Sequence, residues 1–335
     1  MMNNNINILI LSCGTRNKIV QYFKKELDDR GQVLATDCSD LAPALYEADK
    51  HFIVPRMSEE GYLEVILSIC RENDIRAVIS LIDPELCFLA KHKQAFLDIG
   101  TIPIVSDSDV VEMCFDKHKM FEFLVQNGFQ TVKSYLDKEE FYNDVDAGII
   151  NYPVFVKPVR GSASINISKV TSQEEIELLF SRFDNLMIQE FMDGTEYGAD
   201  VYIDMISSEP VAIYVKEKIK MRAGETDKSV SIKDEQLFEL IKKFVRETRF
   251  KGIIDIDIFK VNGEYYISEV NPRFGGGYPH AYESGVNVPK MIINNIHGNA
   301  NAEAIGNYDK GIYMMKFNDV RIIRDIADIN YKKEV

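Results

Sequence analysis

The residues best suited to chemistry lie near the C-terminal end, in Gly252-Ile253-Ile254-Asp255-Ile256-Asp257-Ile258-Phe259 and Glu264-Tyr265-Tyr266-Ile267-Ser268-Glu269-Val270-Asn271-Pro272-Arg273. Both stretches alternate β-branched or aromatic residues with polar ones, and the intervening Asn262-Gly263 is a strong hairpin signal. Residues two apart in a strand face the same way, so Asp255 and Asp257 share a face, as do Glu269 and Asn271. Pairing through the turn brings Asp257, Glu269 and Asn271 together. Three oxygen side chains without sulfur or imidazole suit a hard cation such as Mg²⁺. Carboxylates on a hairpin's solvent face are common. This hairpin is distinguished by Pro272-Arg273, then Phe274 and three glycines, because an arginine beside a Mg²⁺ site answers the charge that develops in phosphoryl transfer.

Weaker signals accompany it. Val156-Lys157-Pro158 ends a strand, and Arg160-Gly161-Ser162-Ala163-Ser164 follows; backbone N–H groups of such a loop can wrap phosphates while Lys157 supplies charge. The loop is not a Walker A motif, since GxxxxGK[ST] is absent. Asp83 and Glu85 stand at the C-terminal end of a parallel strand, where α/β sheets bind ligands; as helix N-cap and first-turn acid they need no other role, and that is the reading expected here. Gly275-Gly276-Gly277 lets a backbone or a carboxylate approach closely, or serves a turn.

The 335 residues suffice for two or three packed units with real cores. The net charge of −14 excludes non-specific nucleic-acid binding and an anionic membrane surface as partners. The five cysteines form no CxxC pair, which argues against a zinc site or a disulfide framework and for a reducing cytoplasm. No apolar run approaches a membrane span, and Met1 to Asn5 has no signal-peptide character.

These residues need elements to hold them. Apolar runs at 6–11, 33–36, 52–54, 77–81 and 102–105 alternate with helical patterns, one of them from Arg16 to about Arg30 that Gly31 stops. That alternation predicts a parallel sheet and a Rossmann-like domain to about residue 110. Gly14 stands alone after the first strand, so a dinucleotide fingerprint is missing and a scaffold is expected. Beyond residue 115 the pattern becomes mainly antiparallel α+β: a helix from Asp116 to Gln126, strands over 152–158, 167–170, 186–191, 198–206 and 210–219, a loop at Arg222-Ala223-Gly224-Glu225, an amphipathic helix from Glu235, and a last strand from Ile312 to Phe317.

Taken in order, Lys117, the VKP loop, Gln189-Glu190-Phe191-x-x-Gly194-x-Glu196, Asp257 and Glu269-Val270-Asn271-Pro272-Arg273 resemble the ATP-grasp superfamily, most of all one half of the carbamoyl-phosphate synthetase large subunit and stand-alone carboxylate–amine ligases. The resemblance implies an α/β and α+β fold: a Rossmann-like pre-ATP-grasp domain over 1–112, then a two-lobed ATP-grasp domain with a small lobe over 113–190 and a Mg²⁺ and substrate lobe over 191–335. Lys117 and Lys157 resemble the basic residues on ATP phosphates, and Gly161, Ser162, Ala163 and Ser164 the closing loop, with fewer glycines than many relatives. Glu190 and Phe191 resemble the adenine-contacting linker and Glu196 the acid on the ribose hydroxyls. Asp257, Glu269 and Asn271 resemble the Mg²⁺ ligands and Arg273 the arginine on the transferred phosphoryl group. Arg222, a looser match, resembles a residue brought to nucleotide and substrate. The activity implied is ATP-dependent phosphorylation of a carboxylate to an acyl phosphate and coupling to an amine. The alternatives are phosphorylation of bicarbonate or carbamate, and a nucleotide-binding regulatory protein. ATP and two Mg²⁺ ions are expected, with Mn²⁺ as a substitute. The partners expected are small carboxylate and amine substrates, with either a homodimer or a separate subunit.

Overall fold

The computed structural model describes residues 5–161 and 167–323; the expectations for Ser162, Ala163 and Ser164 lie outside the described residues. Three sheets organise the described residues. The first is parallel, built from β1 (Asn7–Leu11), β2 (Val33–Asp37), β3 (Lys50–Ile53), β4 (Ile75–Ser80) and β5 (Ile102–Pro103) in the order β3-β2-β1-β4-β5. Helices α1 (Asn17–Leu27), α2 (Tyr62–Glu72), α3 (Asp83–Lys91) and α4 (Lys93–Asp98) connect its strands.

Strand alternation divides this sheet between two cores. Leu9, Leu11, Leu34 and Val78 pack on one face with Ile66, Leu86, Leu89 and Phe96. Ile8, Ile10, Val33, Ala35 and Ile79 face the other way, into a cluster that also holds α1 residues Ile19, Val20, Phe23 and Leu27 and most of the third sheet's interior. Helix α1 ends at Leu27, before a short 3₁₀ turn over Asp28–Arg30. Gly31 then serves space, not a left-handed cap: its φ is 162°, and a Cβ there would lie 1.8 Å from the carbonyl oxygen of Ile6.

Helices α5 (Ser108–Phe115) and α6 (Lys117–Gln126) lead to the second sheet, formed by β6 (Ser134–Tyr135), β7 (Val154–Pro158), β8 (Ser168–Val170) and β9 (Leu186–Glu190) in the order β6-β9-β7-β8. Every pairing in it is antiparallel. With α7 (Lys138–Asp146) and α8 (Gln173–Arg182), it closes a small core of its own around Phe141, Val154, Val156, Ile176 and Ile188. Met120, Leu124 and Phe129 instead join the larger cluster, where Phe129 meets Phe244 edge-on at 5.6 Å. The segment opening at Lys117 therefore packs with the large lobe, whereas the sequence reading grouped it with the small one.

The third sheet is antiparallel: β10 (Thr195–Ile203), β11 (Pro210–Arg222), β12 (Glu225–Ile232), β13 (Gly252–Val261), β14 (Glu264–Asn271) and β15 (Tyr313–Met315), ordered β14-β13-β10-β11-β12-β15. At its hairpin Asn262 has φ 51° and Gly263 φ 91°, the two positive values a type I′ turn requires. Helix α9 (Glu235–Thr248) buries Leu237, Phe238, Ile241, Phe244 and Val245, the stripe its periodicity predicted. Helices α10 (Tyr278–Glu283) and α11 (Val288–Ile296) complete the lobe. Tyr22 of α1 stacks on Tyr282 of α10 with centroids 3.7 Å apart, so the parallel domain and this lobe share one interior. Among the described residues no helix is long and apolar enough to cross a membrane.

Candidate active site

A cleft of about 930 Å³ opens where the three sheets meet. The hairpin β13–β14 forms its floor. Its register sets Asp257 opposite Glu269 and Asp255 opposite Asn271, with a bulge between Asp257 and Ile258. Four polar side chains thus come to one patch through a local turn. Burial raises the Asp257 carboxyl above its ordinary value; Lys218 opposes this, while Asp255 and Glu269 reinforce it. Glu269 is pushed up by burial too, but Lys117, Lys157 and Arg273 outweigh that and hold it ionised below the usual range.

Lysines surround the acids. Lys218 of β11 donates to Asp257 Oδ1 at 2.5 Å and to Glu196 Oε1 at 2.8 Å. Burial acts to lower its pKa, but Asp257, Glu196 and Asp255 prevail and keep it charged. Lys117, first residue of α6, donates to the Gly161 carbonyl and lies 3.7 Å from Glu269 Oε1. Lys157, near the end of β7, is buried and lines the cleft. Its Nζ has no hydrogen-bond or ion-pair partner among the described residues. Burial and then Lys117 hold its pKa below the ordinary lysine value, against the pull of Glu269 and Asp257.

Among the described residues no three His, Cys, Asp or Glu side chains gather closely enough to hold a metal unaided. Two carboxylates and the Asn271 amide oxygen nevertheless form an all-oxygen donor set whose mutual repulsion a hard cation relieves, with phosphate oxygens completing its shell. The residues present fit such an ion.

Arg273 is held by the parallel domain. Its Nε and Nη2 each donate at 2.9 Å to Asp83 Oδ1 and Oδ2, and Nη2 also reaches Asn271 Oδ1 at 3.2 Å. Asp83 is thus more than a first-turn acid of α3: its carboxylate crosses to the hairpin. Glu85 is fully buried and accepts from the hydroxyls of Ser12, Ser80 and Tyr62, an internal polar knot. The glycine run makes room for this chain's own charges, a reading the sequence did not suggest. A Cβ on Gly275 would lie 2.4 Å from the Asp255 carboxyl carbon, and one on Gly277 2.7 Å from Lys216 Cε.

At the other end Phe155 and Phe191 meet with centroids 5.6 Å apart, and Lys169 sits 3.7 Å over the Phe191 ring. Glu190, Phe191, Gly194 and Glu196 line this end. Arg222 does not reach the cleft, which corrects the expectation for it. The β11–β12 register breaks on either side of Lys220, and Arg222 turns to solvent, where it pairs with Asp227 at 2.9 Å. Lys218 takes the inward position on the same strand. Sequence reading also passed over Lys218 and Arg16 as cleft residues, and set Asp83 down as a helix-cap acid in preference to a ligand-site one. Alternating lysines at 216, 218 and 220, after the apolar run 211–215, were the available signal for Lys218; Arg16 carried none. Cys13, Cys70 and Cys114 are buried with pKa values raised by burial, Cys70 to about 12, as inert small hydrophobes.

Known proteins match this architecture. Residues 8–105 match the PylC-like N-terminal domain and residues 114–277 the ATP-grasp domain. The chain is 28% identical over 194 residues to a D-alanine–D-alanine ligase of Acetivibrio thermocellus, covering 47% of this chain and 50% of that protein. It is 24% identical over 290 residues to a carbamoyl-phosphate synthase of Methanobrevibacter smithii, covering 82% of this chain and 76% of that one. It spans about half the length of the D-alanine–D-alanine ligases it matches first. In fold it resembles the biotin carboxylase domain of Hydrogenobacter thermophilus 2-oxoglutarate carboxylase, solved with MgADP and bicarbonate, with a TM-score of 0.73 at 19% identity over 92% of this chain and 73% of that one. Two adjoining domain matches and a cleft whose acids and lysines converge from three sheets lead to one assignment: the chain carries an ATP-grasp domain over residues 114–277, preceded by a PylC-like N-terminal domain.

Proposed function

We propose that the chain is an ATP-dependent ligase that phosphorylates a carboxylate to an acyl phosphate and couples it to an amine. One observation carries the reading: Lys157, buried and with no ion-pair partner among the described residues, lines a cleft whose floor holds the Asp257–Glu269 pair. A buried charge left unpaired is costly, and a cleft that holds one is shaped for an anion that the ligand brings. A phosphate chain answers Lys157 and Lys117, and a divalent cation answers the acids.

Adenine then lies beside Phe155 and Phe191, with the ribose near Glu196. Asp257, Glu269 and Asn271 would hold Mg²⁺, whose charge neutralises the phosphates. A carboxylate oxygen attacks the γ-phosphorus and ADP leaves; the amine nitrogen attacks the acyl carbon and inorganic phosphate leaves. Arg273, fixed by Asp83, meets the charge on the transferred group. Walls from three sheets keep water from the acyl phosphate. The buried free thiols fit a reducing compartment such as the cytoplasm.

Phosphorylation of bicarbonate or carbamate is a second reading, favoured by the length of the match to the carbamoyl-phosphate synthase. ADP and phosphate release across a matrix of carboxylates and amines, bicarbonate included, separates the two. Release that needs a carboxylate–amine pair supports ligation. Release with bicarbonate and no amino acid supports the second reading, and nucleotide binding without turnover under any pairing overturns both.

A further inference from the structure

The cleft has a second charged end, away from Lys117 and Lys157, where the parallel domain meets the large sheet. Arg16, just before α1, reaches across this seam and pairs with Glu225 of β12 at 2.9 Å. Both line the cleft, as do Gly276 and Asp255. Glu225 has a second cation, since Lys316 donates to its other oxygen at 2.8 Å. Gly276 gives the carboxylate its room: a Cβ there would stand 2.7 Å from Glu225 Cδ.

Two arginines therefore border this end, and they differ in availability. Arg273 is closed, doubly bonded to Asp83, with side-chain exposures of 10% and 8% for the pair. The Arg16–Glu225 pair is open, at 24% and 38%. If Arg16 let go of Glu225, the carboxylate would keep Lys316 and no buried acid would be stranded. Exchange of Glu225 for another carboxylate on Arg16 is thus nearly neutral in charge, while a neutral group in its place would leave the guanidinium unpaired. A planar guanidinium also matches a carboxylate through two parallel N–H donors.

We infer that Arg16 is the specificity-determining residue for the amine substrate, and that this substrate is an amino acid whose free carboxylate displaces Glu225 from Arg16. Its amino group is then left toward Arg273, where the acyl phosphate is expected. The inference deepens the ligase reading and rests on it for the identity of the reacting partner; the recognition of a carboxylate by Arg16 stands apart from nucleotide binding.

The test is calorimetric. The full chain is titrated with L-alanine, D-alanine, L-glutamate and L-lysine and with the α-amide of each, with and without Mg·ADP. In a separate titration Mg·ADP alone is added. At least one free amino acid is expected to bind the wild type, with its amide weaker by about 10- to 100-fold, as loss of a charged hydrogen-bonded pair implies. Arg16→Gln should weaken the free acid by a similar factor and leave its amide and Mg·ADP unchanged, and Arg16→Lys should recover part of the loss. The inference is overturned if no amino acid binds, if acid and amide bind alike to the wild type, or if Arg16→Gln keeps the discrimination. The wild-type comparison of acid with amide does not depend on any variant folding. Failure of Mg·ADP to bind counts against the ligase reading alone, because the amino-acid titration without nucleotide still judges Arg16.

Discussion

Lys157 illustrates how a single side chain trades stability for function. Its ammonium is buried with no ion-pair partner among the described residues; Glu269 and Asp257 attract it only from a distance, and its neighbour Lys117 adds repulsion. Replacing it with Met, of similar length, removes that cost. The Lys157→Met chain should be more stable than the wild type when ligand-free, by about 1 kcal/mol, and so unfold at a higher temperature, while Mg·ADP should bind about 10- to 100-fold more weakly. Thermal unfolding with and without nucleotide reads both effects; a ligand-free variant less stable than the wild type would count against the unpaired charge. Glu269 makes the complementary case. Glu269→Gln keeps the shape of the floor but removes one of its two paired carboxylates. It should abolish Mg²⁺-dependent turnover with circular dichroism unchanged, and full activity in that variant would remove the metal assignment.

At the scale of elements, the β13–β14 hairpin was legible because its information is local. Asn262-Gly263 supplies the two positive φ values, the alternation sets the faces, and together they place Asp257 beside Glu269. Strand β11 was less legible. Its breaks around Lys220 decide that Lys218 points inward and Arg222 outward, and a bulge leaves no mark in a run of alternating charges. Helix α10 carries a further consequence. His280 lies buried between Ser229, whose hydroxyl is 2.8 Å from Nδ1, and the Ile312 carbonyl. Burial, and then Lys216, lower its pKa from 6.5 to about 4. Above 6.5 the ring is neutral in folded and unfolded chains alike. Between 6.5 and about 4 the unfolded chain takes a proton that the folded chain refuses, so stability falls as pH falls through that window. His280→Asn, which cannot ionise, should lose less of its melting temperature across the same range, and equal losses in the two chains would refute the assignment.

Across the whole molecule, one face of the parallel sheet and the interior of the large antiparallel sheet are a single hydrophobic cluster, while the four-stranded sheet closes a separate one. Cooperativity should follow that division. Amide hydrogen exchange is expected to protect β1, β4, β10 and β13 to a common level, and β7 and β9 to a lower one through opening of the small lobe alone. Equal protection in all three sheets would show that the small lobe does not open independently. The same division bears on chemistry: the floor of the cleft belongs to the larger body, while Lys157 rides on the smaller one.

What the amino-acid sequence determined by itself was whatever short-range periodicity and turn chemistry encode: the parallel and antiparallel halves, the hairpin with its acids, the VKP strand and the order of the motifs. What tertiary structure alone decided was which charges meet across domains or across non-adjacent strands of one sheet. Arg16 with Glu225, Asp83 with Arg273 and Lys218 with Asp257 lie 209, 190 and 39 positions apart. The physical reason is that an ion pair needs its charges within a few ångströms, which depends on how helices and sheets pack, and nothing in the residues flanking either partner records that packing.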